Sequence, residues 1–172
     1  MSRDLLNQLK SLWQRQREKL DGKFNRTLSF GDYVVDRWEK GAALGFGSGS
    51  SIYDSAIVFG DVSVGSNTWI GPFVILDGVG GLDIGNNCSI SAGVQIYSHD
   101  SVDWAVSGGE KPYTYAKTSI GNYCYIGPNV LIAKGVSIGD RCVIGANSLV
   151  LKDVPGNSRA YGTPCRVVGE TG

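Results

Sequence analysis

Aliphatic residues fall at every sixth position along most of this chain. In one register they are Ile52, Val58, Val64, Ile70 and Leu76, then Ile84, Ile90 and Ile96, and then Ile120, Ile126, Ile132, Ile138, Ile144 and Val150. Six residues are too few for a helical unit, and a fixed period marks a solenoid, whose units bury their apolar faces only by stacking. Strand side chains alternate, so position i−2 should share the inward face with position i. The residues there are Val62, Thr68, Val74, Cys88, Val94, Thr118, Cys124, Val130, Val136, Cys142 and Ser148. All are small or β-branched, as a tightly wound prism demands. Glycine follows many of the repeat aliphatics (Gly65, Gly71, Gly85, Gly121, Gly127, Gly139, Gly145), which predicts a turn with unusual backbone angles at that position. The pattern thus predicts an all-β parallel solenoid of short strands. It does not set handedness, and general crossover rules favour right-handed connections.

The beat breaks twice. Between Leu76 and Ile84 the phase shifts by two residues, whereas the gap from Ile96 to Ile120 is a multiple of six and leaves the phase intact. The second break therefore predicts one extruded loop, over about residues 100–118. His99, the single histidine of the chain, opens it.

Residues 1 to about 22 carry a different pattern. Leu5, Leu9, Leu12, Trp13 and Leu20 recur at helical spacing among Lys10, Arg15, Arg17 and Lys19, which predicts an amphipathic α-helix stopped by Asp21-Gly22. Such a helix packs on its own domain or on a neighbouring subunit, and its basic face leaves peripheral contact with an anionic membrane open. A strand-like stretch at Tyr33 to Val35 and a glycine-rich loop from Gly41 to Gly49 are expected next. The division is then a helix with its connecting segment over 1–50 and the solenoid with a C-terminal tail over 51–172.

With 172 residues and 42% hydrophobic content, one domain with a closed core is expected. Sixteen basic residues balance sixteen acidic ones, so no polyanion-binding surface is indicated and nucleic acid is an unexpected partner. No apolar run reaches the ~18 residues of a membrane span and no signal-peptide pattern opens the chain, so the cytoplasm is the expected compartment. Cys88, Cys124 and Cys142 keep the repeat's phase and read as small buried side chains rather than disulfides or metal ligands.

The segments Ser119-Ile120-Gly121-Asn122, Tyr125-Ile126-Gly127-Pro128-Asn129-Val130, Gly135-Val136-Ser137-Ile138-Gly139-Asp140 and Val143-Ile144-Gly145-Ala146-Asn147-Ser148 lead to Lys152-Asp153-Val154-Pro155 and Gly162-Thr163-Pro164-Cys165-Arg166. Over about residues 50–168 this resembles the hexapeptide-repeat acyltransferases. In layout it is most similar to the galactoside and maltose O-acetyltransferases and the saccharide O-acetyltransferases of polysaccharide pathways. The resemblance implies a left-handed parallel β-helix with three hexads to a coil. It also implies a homotrimer with active sites between subunits, acetyl-CoA as co-substrate and no metal.

Attack of a sugar hydroxyl or amine on a thioester needs a base, and imidazole titrates near the working pH. His99, in Tyr97-Ser98-His99-Asp100, matches the family's catalytic histidine. A carboxylate on the other ring nitrogen would fix its tautomer. Glu110, in Gly108-Gly109-Glu110, resembles the family's loop glutamate and is the first choice, with Asp100 second. Asp77, just before Gly78-Val79-Gly80-Gly81, resembles an acceptor-binding acid. Trp104, Tyr113 and Tyr115 in the loop are candidates to pack against a saccharide or an adjacent subunit. For the donor, Gly127 and Ala146 match positions along the pantetheine groove, and Lys152 and Arg166 match residues that meet the nucleotide phosphates. Pro128 departs from relatives that donate a backbone N–H toward the thioester oxygen there, because proline has none.

Two other readings remain beside a saccharide O-acetyltransferase, and a third is ruled out. One is N-acetylation of a nucleotide-linked amino sugar, and another is a non-catalytic β-helix scaffold. The third, a γ-class carbonic anhydrase, needs three histidines for zinc where this chain has one.

Overall fold

The computed structural model describes residues 2–172. Helix α1 spans Arg3–Phe24, and the Ser2 side chain caps it by accepting from Leu5 N–H. It runs through Gly22 and ends at Asn25, which takes the left-handed conformation (φ 50°) and donates its N–H to the Asp21 carbonyl. None of its residues is buried. No helix among the described residues is long and apolar enough to cross a membrane.

In the strand expected at Tyr33 to Val35, Tyr33 and Val34 are instead helical and only Val35 is extended. Helix α2 covers Phe30–Val34 and buries Tyr33, whose hydroxyl accepts from Leu28 N–H. Asp32 reaches out of the same turn to accept from Asp54 N–H, so tertiary anchoring overrides the weak local preference. The glycine-rich stretch expected as loop begins inside helix α3, Arg37–Ala43, capped by Asp36 on the N–H groups of Trp38 and Glu39. Gly41 lies in this helix because α3 presses on the first coil, where an added Cβ would come 2.8 Å from the Ser50 carbonyl oxygen.

From Ser51 the chain winds into a parallel β-helix with three faces. On the first, Ile52, Ile70, Ile90, Ile126, Ile144 and Ala160 stack in register. On the second the column is Val58, Leu76, Ile96, Ile132 and Val150. On the third it is Val64, Ile84, Ile120 and Ile138, with Val154 bridged to Ile138. Nearly all are fully buried, together with the i−2 residues and Leu82.

Cys88, Cys124 and Cys142 are free and buried, as their phase implied. They continue a column begun by Ser50 and Thr68. Each side chain donates to a carbonyl of the next turn, at Gly65, Gly85, Gly121, Gly139 and Pro155 in order, over 2.6 to 3.1 Å.

The tight turns are not where the sequence pointed. Left-handed backbone recurs at i−3, at Asn67, Phe73, Asn87, Gly93, Tyr123, Asn129, Gly135, Arg141 and Asn147, with φ between 54° and 76°. The glycines at i+1 all have negative or extended φ, and they are required by coil stacking. A Cβ on Gly85 would lie 2.7 Å from the Gly121 carbonyl carbon and 2.8 Å from Asn122 N.

Both ends of the helix are covered. At the first coil, Lys40 of α3 donates to the carbonyls of Tyr53, Asp54 and Ala56. At the last, strand Ser158–Gly162 turns back into the antiparallel strand Cys165–Glu170.

The two breaks in rhythm meet at one corner, between the second and third faces. Strand Ile75–Ile84 rounds this corner beside Ile57–Val64. Their register jumps from Gly60 opposite Gly78 to Val62 opposite Leu82, a bulge of two extra residues. One coil later the loop leaves from the same corner at Ser98. Its base is clamped by Gly80 N–H on the Ser98 hydroxyl (2.7 Å) and Ala116 N–H on the Ser98 carbonyl (2.9 Å). The loop is ordered: His99–Asp100 pairs antiparallel with Thr114–Tyr115, and helix α4, Val102–Val106, lies between them.

Candidate active site

The bulge sets Asp77 under the exit of the loop, where it is wholly buried. One carboxylate oxygen accepts from Val79 N–H (2.9 Å) and the Ser98 hydroxyl (3.3 Å). The other accepts from Ser98 N–H (3.1 Å) and faces His99 Nδ1 at 2.5 Å. Burial pushes this carboxyl up, but the N–H groups of Val79 and Ser98 and the His99 ring outweigh it and hold it below its ordinary value. Asp77 is therefore an anion at neutral pH. With Nδ1 bonded to it, Nε2 is the ring nitrogen left to take up a proton.

Aromatic rings surround His99. Tyr113 and Tyr115 lie nearly parallel to it at 6.4 and 6.1 Å between centroids, and Phe59, from the same corner of the first coil, meets it edge-on at 6.5 Å. Trp104 of α4 packs edge-on against Tyr113 at 5.7 Å. Both Trp104 and Tyr113 keep much of their surface exposed.

The carboxylate on His99 is thus neither of the two expected from the sequence. Glu110 is exposed in the loop and makes no hydrogen bond among the described residues. Asp100 points away from its neighbour, as alternation on an extended chain requires. It accepts from Thr114 Oγ1 and Val102 N–H and pairs with Lys134 Nζ at 2.8 Å. Lys134 is the leading cause holding the Asp100 carboxyl below its ordinary value. Asp77, expected against the acceptor, takes the orienting place. Ser98, Phe59 and Lys134 were not anticipated as site residues, although each lies at the corner that both phase breaks mark.

The donor-site candidates line the later coils. Gly127 and Ala146 stack at the corner between the first and second faces, where a Cβ on Gly127 would lie 2.7 Å from Ala146 N. Lys152 is exposed at the corner that bears the loop, and Arg166 is exposed on the C-terminal strand. Neither pairs with a carboxylate among the described residues.

Comparison with known proteins agrees with this architecture. Residues 117–152 match the family model of the bacterial transferase hexapeptide (six repeats), and residues 61–98 match the hexapeptide repeat of succinyl-transferase. The chain is similar to a maltose O-acetyltransferase from Clostridium difficile 630, with 31% identity over 95% of this chain and 88% of that one and a TM-score of 0.63. The chain belongs to the hexapeptide-repeat acyltransferases. Its solenoid is accordingly the left-handed parallel β-helix of that family. A hexapeptide-repeat-containing acetyltransferase from Vibrio cholerae O1 biovar eltor, complexed with acetyl coenzyme A, aligns at 25% identity over 95% of this chain and 88% of that one, TM-score 0.71. AntD, an N-acyltransferase from Bacillus cereus, shares the fold at 22% identity over 74% of this chain and 72% of that one, TM-score 0.67. No curated protein matches the chain significantly. In an acyltransferase, a buried carboxylate on one nitrogen of an imidazole in an aromatic setting equips the other nitrogen for proton transfer.

Proposed function

We propose that this acyltransferase moves an acetyl group from acetyl-CoA to a hydroxyl of a sugar or saccharide, with His99 as general base. The observation that carries the reading is the Asp77–His99 pair at 2.5 Å among exposed aromatic rings. Asp77 keeps the proton on Nδ1, so Nε2 accepts the proton of the acceptor hydroxyl as its oxygen attacks the thioester carbonyl. The resulting imidazolium is stabilised by the carboxylate, and it returns the proton to the departing thiolate. Acetylated saccharide and free CoA thiol are the products. Tyr113 and Trp104 offer the apolar ring faces that sugars pack on. Lys152 and Arg166 supply unpaired cations for the donor's phosphates, with Gly127 and Ala146 along its pantetheine.

A homotrimer is part of the same proposal, supported by the contrast between the outward-facing columns of the second and third faces. On the second face that column reads Ile57, Ile75, Gln95, Leu131 and Leu149, whereas on the third it reads Ser63, Asp83, Ser119, Ser137 and Asp153. A stripe that is apolar at four of its five positions, broken only at Gln95, beside the catalytic corner suits a second copy of this chain.

The test is thiol release from acetyl-CoA with a panel of simple sugars, oligosaccharides and nucleotide-linked amino sugars. A hydroxyl acceptor is expected to be turned over by the wild type. In His99→Ala, kcat should fall about 10²- to 10⁴-fold with acetyl-CoA affinity unchanged. Turnover confined to amino sugars would move the reaction to nitrogen, and a His99→Ala variant keeping a third of wild-type kcat would remove the base.

A further inference from the structure

Beyond the Asp77–His99 contact, the loop that carries the aromatic rings is held at two places. One is its base, at Ser98. The other is an ion pair that crosses from the loop to the next coil. Lys134 stands two residues beyond Ile132 on the second-face column, at the same corner as the loop's exit. Its ammonium pairs with Asp100 Oδ2 at 2.8 Å and donates to Thr114 Oγ1. Thr114 Oγ1 in turn donates to Asp100 Oδ1 at 3.1 Å.

Asp100 and Thr114 face each other across the antiparallel pair, one step from His99 opposite Tyr115. The three side chains therefore close a cycle that ties both strands of the loop's stem to a rigid coil. The Lys134 and Asp100 side chains are 26% and 39% exposed, so the pair is partly sheltered from the solvent that screens ordinary surface ion pairs. The neighbouring ion pair of the same coils, Lys117 with Asp83, is far more open, with 59% and 48% of its side chains exposed. Lys117 lies at the foot of the loop, beyond the stem strands, and among the described residues neither member of that second pair hydrogen-bonds to them.

We propose that Lys134 is a positioning residue for the acceptor: it latches the 99–118 loop through Asp100 and Thr114, and thereby sets Tyr113 and Trp104 where the saccharide packs beside His99. This rests on the acetyl-transfer reading for its effect on catalysis, but the latch itself is a property of the free protein. Lys134 makes no hydrogen bond or ion pair to His99 and is not a base or acid in the reaction. Its loss should act on acceptor recognition and not on the intrinsic proton transfer, because Asp77 holds His99 from the coil side, independently of the latch.

The experiment compares Lys134→Met, which keeps the stem and removes the charge, with Lys134→Arg and with Lys117→Met as a control. Two readouts are taken. In hydrogen exchange on the free protein, Lys134→Met should speed exchange of amides in 99–118 by tenfold or more, while amides of the coils keep their protection. In steady-state kinetics the KM for the acceptor should rise about tenfold or more, with a smaller change in kcat and none in the KM for acetyl-CoA. Lys134→Arg should restore most of both effects, and Lys117→Met should produce neither. Unchanged exchange in 99–118 for Lys134→Met overturns the proposal, as does faster exchange spread over all coils or a rise in acceptor KM that Lys117→Met shares. If no saccharide is acetylated at all, the function falls while the exchange result still decides the latch.

Discussion

Replacing Asp77 by Asn discriminates most sharply between the orienter seen in the structure and the one expected from the loop. The two side chains have the same shape, so no cavity forms, but Asp77 is wholly buried and accepts four hydrogen bonds. An amide has one accepting oxygen where the carboxylate has two. If the amide nitrogen faces His99, it donates to Nδ1 and drives the proton to Nε2, which then cannot act as base; it also confronts Ser98 N–H. If the amide is flipped, the oxygen keeps the productive tautomer, but the nitrogen confronts Val79 N–H and the imidazolium loses its counter-charge. Either orientation costs one backbone donor its partner, the buried Ser98 N–H in the first case at about 1–3 kcal/mol in stability and the more exposed Val79 N–H in the second at less. The catalytic loss should approach that of the base itself, about 10²- to 10⁴-fold in kcat or roughly 3–5 kcal/mol. The assay is initial-rate thiol release well below the variant's melting temperature, with calorimetry to show acetyl-CoA binding intact. Glu110→Gln, run in parallel, should stay within about threefold of wild type. The reasoning is refuted if Asp77→Asn keeps a third or more of wild-type kcat, or if Glu110→Gln falls as far.

Lys152→Ala and Arg166→Ala should each weaken acetyl-CoA binding by about tenfold, the scale of a hydrogen bond to a charged group, as read by calorimetry; wild-type affinity in both places the phosphates elsewhere. Acid should destabilise the fold in a defined sense: the Asp77 carboxyl titrates below its ordinary value in the folded state, so its contribution is complete above about pH 4 and is lost as pH falls through the depressed value. Thermal melting between pH 5 and pH 2 should therefore drop more steeply for wild type than for Asp77→Asn, and parallel curves would contradict it. Gly85→Ala should destabilise by about 1–3 kcal/mol because its Cβ meets the next coil, whereas Gly22→Ala, with nothing within 4 Å in α1, should stabilise by up to about 1 kcal/mol. Denaturant midpoints decide this, and a destabilised Gly22→Ala or a neutral Gly85→Ala would count against the packing described.

The solenoid was legible because its driving force is periodic: one buried aliphatic per hexad leaves a mark that no local context can blur. His99 was legible as a unique residue at a phase-neutral gap. Its partner was not, because the carboxylate is 22 residues away along the chain, and strand alternation alone turns Asp77 outward from Leu76. Only the bulge and the returning loop cover it. The two-residue slip was visible, but its position directly beneath the loop follows from coil stacking, which a linear reading does not display. The same limit explains the glycines, whose close approach is to residues of the next coil. At the N-terminus, Asp32 and Gly41 tie helices α2 and α3 to the first coil, contacts that short propensity runs cannot foresee.

The coverings at the two ends of the β-helix set how the molecule meets others of its kind. A parallel stack of coils exposes at each end a rung of unpaired amides and carbonyls, which is a template for another stack to add to, end on end. Lys40 occupies three such carbonyls on the first rung, and the antiparallel return of Cys165–Glu170 along the last changes the direction that an incoming strand would have to match. Each end thus offers an incoming stack fewer free backbone groups in the direction that parallel pairing needs, and end-on growth along the helix axis is disfavoured.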